Sequence, residues 1–156
     1  TVEVLTPDFQ GYGPALETVF EAAPDIFSHN VECVERISGQ VRVQSIWSRS
    51  LDVLEQSVHF GLLTKTSMMV GLGETKVEVI ETMKEVVDLG VEIFTIGQYL
   101  QPTSHHLPVD RFVANEEFQN YKKIGLELGF RVVESGALVR SSYHADEQAR
   151  MVKGNK

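Results

Sequence analysis

Three observations predict an α/β fold on a parallel sheet. Short β-branched runs alternate with segments of helical periodicity. Glycine turns and helix caps separate the two kinds of segment. The polar clusters fall at the C-terminal ends of the strand segments, the edge at which barrels and open α/β sheets carry their sites. A complete eightfold (β/α) barrel takes about 250 residues. The 156 residues here are enough for one domain with a real core, a partial parallel (β/α) barrel.

Val2-Glu3-Val4-Leu5 reads as a strand and Thr6-Pro7-Asp8-Phe9 as its loop. Gly13-Pro14 opens a helix that runs to about Ala23, because proline suits a first helical turn. Asp25 to His29 is the second strand, leaving into the polar run His29-Asn30-Val31-Glu32. A loop with Gly39 and Arg42 leads to a helix from about Ser48 to Phe60, closed by Gly61. Leu63 to Val70 is the third strand and Gly71-Leu72-Gly73-Glu74 its loop. Thr75 and Glu78 have capping-box spacing, and Val79, Ile80, Met83, Val86 and Val87 share one face of the helix that follows, ending at Gly90. Val91 to Ile96 is the fourth strand, and a long loop holds His105, His106 and Pro108. Asn115 is expected to cap a helix running to Leu128, with acids in its first turn. Phe130 to Glu134 is a last short strand, and His144 to about Met151 a terminal helix followed by a frayed tail. Successive strand–helix units imply right-handed crossovers. The chain opens inside a strand whose unpaired edge would need cover, which leads us to expect a preceding N-terminal part.

The net charge is −8, with 42% apolar and 23% charged residues. That describes a globular chain and argues against non-specific binding to nucleic acid or an anionic membrane. No signal peptide or membrane-spanning run is expected. Cys33 is the single cysteine. It permits no intrachain disulfide, cannot by itself hold an iron–sulfur cluster, and suits a small apolar packing role. A reduced intracellular setting fits this composition.

Each polar run has a plain and a functional reading. Gly71-Leu72-Gly73-Glu74 is a tight turn, or a backbone that approaches a flat ligand such as adenine; it is neither a dinucleotide fingerprint nor a P-loop. Asn30 and Glu32 lie two residues apart, so strand alternation points them the same way. They are either a solvated loop or a carboxylate and amide for ribose hydroxyls or an ammonium group. Arg42 and Arg49 are surface charges or a fork for a ligand carboxylate. Adjacent His105 and His106 on an extended loop point apart and are not expected to bind metal. Asp8 initiates a turn. Arg140-Ser141-Ser142 is an N-cap beside an arginine, or a source of oxygen ligands next to a fixed positive charge.

Taken together, Pro7-Asp8-Phe9-Gln10-Gly11, His29-Asn30-Val31-Glu32, Thr64-Lys65-Thr66, Met69 to Thr75, Gly97-Gln98-Tyr99-Leu100-Gln101-Pro102-Thr103, His106-Leu107-Pro108-Val109 and Arg140 to Asp146 resemble the lipoyl synthase family of radical S-adenosylmethionine enzymes. Singly these runs are weak; as an ordered set over nearly the whole chain they are specific. Cys33 stands where the family usually has Thr, and Ala137 where it usually has Pro. The resemblance implies the C-terminal part, strands three to six, of a radical-SAM (β/α)6 barrel over residues 1–134. It implies an extension over 135–156 that carries an auxiliary-cluster serine motif.

The implied activity is that of a radical-SAM sulfurtransferase: insertion of two sulfur atoms at C6 and C8 of a protein-bound octanoyl group. The implied cofactors are S-adenosylmethionine and two [4Fe–4S] clusters, whose cysteine motifs are not in this chain, so the chain alone is expected to be inactive. By the fold's usual layout Asn30, Glu32 and Arg42 bind the polar parts of S-adenosylmethionine. Gly71, Gly73, Glu74, Gln98 and Leu100 border its adenine. Ser142, with Ser141 as fallback, ligates the auxiliary cluster. Implied partners are an octanoylated lipoyl carrier domain (glycine-cleavage H protein or a 2-oxoacid dehydrogenase E2) and an electron donor such as ferredoxin or flavodoxin. The implied location is the bacterial cytoplasm, or a mitochondrion or plastid in a eukaryote. Two rivals stand beside this reading. One is a small aldolase-like α/β barrel, which would use Lys65, the lysine inside a strand. The other is a non-catalytic nucleotide-binding module using the Gly71–Glu74 turn.

Overall fold

The computed structural model describes residues 1–142; the expected helix from His144 and the tail lie outside the described residues. Its strands are β1 (Glu3–Leu5), β2 (Ile26–Ser28), β3 (Thr64–Val70), β4 (Ile93–Gln98) and β5 (Val132–Gly136). Its helices are α1 (Gly13–Glu21), α2 (Glu35–Val41), α3 (Trp47–Phe60), α4 (Lys76–Asp88) and α5 (Asn115–Leu128). The strands form one sheet in chain order, β1-β2-β3-β4-β5, every pair parallel. This is the α/β arrangement of a partial (β/α) barrel. All five segments read as strands pair in it, so the sheet carries one strand more than a count of three to six supplies.

Strand alternation sends successive side chains to opposite faces. Met68, Val70, Phe94, Ile96 and Val133 face the helices, where they pack with Val79, Met83, Val86, Phe118 and Tyr121. Ile26, Ile93 and Val132 form a second cluster with Leu63 on the other face. Below α1 and α3, Leu16, Phe20, Phe27 and Val53 make a third.

The central units follow local chemistry. The Thr75 side chain accepts from the Glu78 amide and Glu78 reaches back to the Thr75 amide, completing the capping box. Gly61 and Gly129 end α3 and α5 in left-handed conformations. Several details differ from the sequence reading. β4 runs from Ile93 to Gln98 rather than from Val91 to Ile96. Residues expected as a loop around Gly39 form α2, because Ile37 is buried in the main core. The helix expected from Ser48 begins one residue earlier, at Trp47. The N-cap of α5 is Ala114 rather than Asn115, and no side chain caps it. β5 extends to Gly136, two residues past the expected end of that strand.

Candidate functional site

The C-terminal ends of β2 to β5 share one mouth. β2 stops at Ser28, and the chain then turns through Glu32, whose φ of 70° is left-handed. Simple alternation therefore does not continue to Glu32, yet Asn30 and Glu32 still line the same cleft, of about 170 Å³. Gln98 and Leu100 from the end of β4, Ser67 and Met69 from β3, and Ser141 from beyond β5 line it too. Ser141 is half-buried there and Ser142 is exposed beside it.

Burial pushes the Glu32 carboxyl above its usual range, with Arg42 and a hydrogen bond from Asn30 pulling it partly back. Arg42 stands 3.7 Å from Glu32, its side chain 41% exposed. Arg42 also lines a second, more open cleft of about 700 Å³ with Asp8, Phe9, Gln10, Gln44 and Arg49. The Glu32–Arg42 pair thus stands between the two spaces. A loosely held guanidinium beside a half-buried carboxylate suits a zwitterionic ligand, since each charge can take an opposite partner.

Other predicted residues have internal partners. Arg49 donates to Asp8 at 2.6 Å and to the Gln44 carbonyl at 3.0 Å, so its fork is already engaged. Asp8 accepts from the Gln10 amide as the turn reading expected. Burial would raise its pKa, but the Gln10 amide and Arg49 outweigh that and hold it low. Gly71, Gly73 and Glu74 do not line the small cleft. The buried Glu74 carboxylate instead accepts from the Gly71 amide at 2.7 Å and the Leu72 amide at 2.8 Å. A Cβ at Gly71, whose φ is +99°, would overlap the Gln98 amide nitrogen and lie 2.6 Å from the Arg111 carbonyl oxygen. The close approach that needs glycine there is made by the protein's own loop. Gln98 itself donates to the Tyr99 and Arg111 carbonyls and accepts from the Val113 amide, which fixes the β4 end against that loop.

His29, next to Asn30, is 1% exposed, and its Nδ1 lies 3.0 Å from the Thr6 carbonyl oxygen. A carbonyl only accepts, so Nδ1 carries the proton and Nε2 is the bare nitrogen. Burial lowers the His29 pKa, which keeps the ring neutral. Lys65 is fully buried and tied to Glu3 at 3.0 Å, so it is not presented at the strand ends as an aldolase-like site requires. His106 Nδ1 pairs with the Thr103 hydroxyl on an exposed loop. Cys33 is buried and burial pushes its thiol up to about 12. Among the described residues no group of three or more His, Cys, Asp or Glu could hold a metal ion. Sequence reasoning missed Gly97, which lines the cleft; the strand was expected to end at Ile96, whereas β4 runs to Gln98 and makes Gly97 a glycine inside a strand, where a backbone often comes close.

No family model matches the chain. It is similar to the lipoyl synthase of Rubrobacter xylanophilus, 54% identical over 149 residues, which are 94% of this chain and 46% of that protein. A mitochondrial lipoyl synthase of Nematostella vectensis is 51% identical over 148 residues, 94% of this chain and 51% of that one. The lipoyl synthase of Caldanaerobacter subterraneus is 49% identical over 156 residues, 99% and 55%. The chain spans about half the length of the curated relatives it matches.

Proposed function

We infer the function from the premise that the aligned 94% of this chain belongs to the lipoyl synthase family: within a longer protein it serves the insertion of two sulfur atoms into a carrier-bound octanoyl group. One observation carries the reading. Asn30, Glu32, Gln98, Leu100 and Ser141, from three separate runs of the sequence, line a single cleft at the strand ends. Arg42 and Glu32 suit the carboxylate and ammonium of S-adenosylmethionine, and Asn30 its hydroxyls.

The residues fit an iron–sulfur cluster only as minor contributors. The Cys33 thiol, buried and raised to about 12, is no thiolate donor. The hydroxyls of Ser141, on the cleft wall, and Ser142, exposed beside it, suit one oxygen ligand among thiolates that the rest of the protein supplies. When bound, the two clusters supply the electron that opens S-adenosylmethionine and the sulfur that is inserted. The chain's own part is to orient that cosubstrate through Glu32 and Arg42 and to place a serine hydroxyl at the same mouth. The partners we propose are an octanoylated lipoyl carrier domain, of the glycine-cleavage H protein or a 2-oxoacid dehydrogenase E2, and a ferredoxin- or flavodoxin-like electron donor. The chain by itself is inactive in this reading.

Titration calorimetry with S-adenosylmethionine on the full-length protein tests it. Wild type should bind, and Glu32→Gln or Arg42→Ala should weaken binding at least tenfold. Mass analysis of an octanoylated carrier should show sulfur gained. Preference for ATP over S-adenosylmethionine would favour a nucleotide-binding module and defeat the assignment.

A further inference from the structure

Beyond β5 the chain does not run off into solvent. Val139 donates its amide to the Gly136 carbonyl at 3.0 Å, turning the segment back over the end of β4. The Arg140 guanidinium folds onto its own segment, donating to the Val139 carbonyl at 2.7 Å and to the Ala137 carbonyl at 3.4 Å. The Val139 side chain is 7% exposed. Its carbonyl lies against Gly97 so closely that a Cβ there would overlap the oxygen and sit 3.3 Å from the carbonyl carbon. Gly97 is held in both ladders, opposite Met69 and opposite Gly136. The next residues, Arg140 and Ser141, reach the cleft wall that Asn30 and Glu32 share.

We propose that Gly97 is a positioning residue, a bare stretch of strand on which Val139 seats and which thereby sets Ser141 and Ser142 across the mouth from Asn30 and Glu32. The proposal rests on the functional reading above for what the serines do, but not for the seat itself. Gly97 has no positive φ to explain it; the close approach of Val139 does. A methyl group at this position has to be cleared by one side or the other. β4 is bonded on both edges, whereas among the described residues Ala137 to Ser141 hang on one turn, one buried valine and one folded arginine, so the segment is what moves. Misplacement of a reacting group by about 1 Å is worth on the order of 100-fold in rate.

The test uses Gly97→Ala in the full-length protein, with Leu138→Ala as control, because Leu138 is 81% exposed on the same segment. Hydrogen exchange at the Val139 amide should quicken at least tenfold in Gly97→Ala, trypsin should cut faster after Arg140, and β3 to β5 amides should stay within twofold. Leu138→Ala should match wild type. In the cluster-loaded protein, the Mössbauer signature of an oxygen-ligated iron should weaken in Gly97→Ala and stay as in wild type in Leu138→Ala. Val139→Ala removes the buried anchor without loading the strand; it should loosen the segment in the same way and decides the matter if Gly97→Ala does not fold. Unchanged Val139 exchange in the folded variants overturns the seat. Loosening with an unchanged iron signature overturns its role toward the serines. Wild type without any oxygen-ligated iron overturns the functional reading, and with it the purpose of the seat, while leaving the exchange result standing.

Discussion

Replacing Glu74 by alanine should destabilise the protein by about 4 kcal/mol. The carboxylate is 1% exposed and accepts two short backbone bonds, 2.7 Å from the Gly71 amide and 2.8 Å from the Leu72 amide. A hydrogen bond to a charged group contributes about 1.5–3 kcal/mol, and a buried donor left without an acceptor costs a similar amount. Alanine strands both amides at once. Arg111 loses little, since it keeps its two bonds to Glu117 at 3.0 and 2.7 Å. Glu74→Gln keeps one oxygen and turns an amide donor toward the other N–H, so about 2 kcal/mol is expected. Urea unfolding followed by fluorescence measures both. Trp47 is the single tryptophan, and Leu72 of the turn packs against the core in which Trp47 is buried. The midpoint should fall with the slope unchanged. A loss under about 1 kcal/mol for Glu74→Ala, or equal losses for both variants, would show that the turn does not depend on this carboxylate.

Three further outcomes are expected. The hydrogen bonds from Arg111, joined by one from Tyr121 at 2.6 Å, outweigh burial and lower the Glu117 carboxyl to about 2. A depressed acid contributes its stability above the unfolded value of 4.5 and loses it as pH falls toward 2. Glu117→Gln should therefore be about 2 kcal/mol less stable at pH 7 in urea melts, with the gap closing across that acid window. Cys33, 1% exposed with its thiol raised to about 12, should resist iodoacetamide at pH 8 and label only in denaturant; labelling of the native protein, read by mass, would contradict its burial. Lys65→Met leaves Glu3 without its partner, and a melt should show about 3 kcal/mol lost, with most regained in Lys65→Met combined with Glu3→Leu; no recovery in the double variant would mean that the pair itself stabilises the sheet.

The β3–α4–β4 unit is legible in the sequence because several signals agree: strands rich in β-branched residues, a glycine turn, the Thr75–Glu78 box and one apolar helix face. α2 is not. Its seven residues include glycine and two β-branched side chains, and no side chain caps it; it is helical because Ile37 packs into a core built by distant strands, which local propensity does not register. At the mouth, strand-end position was enough to single out Asn30 and Glu32, while Gln98 and Leu100 came from the family resemblance; all four line the cleft. Neither said which polar groups are already engaged. Glu74 and Arg49 have the chemistry of ligand contacts, but their bonds go to backbone amides and to Asp8, geometry that exists only after folding. The same limit hid the Val139–Gly97 approach, whose one trace in the sequence is a small residue where a strand would otherwise carry a side chain.

The order in which the sheet is laid down has a consequence for biosynthesis. Its strands lie side by side in the order they leave the ribosome, and Glu32 can meet Arg42 early because only nine residues lie between them. Ser141 lies more than a hundred residues downstream of Asn30 and arrives only once β5 has joined the edge. The other residues of that cleft wall, Asn30, Glu32, Gln98 and Leu100 among them, therefore all precede Ser141 in synthesis. The cleft is thus a feature of long sequence separation, completed by the last of its lining residues to be made.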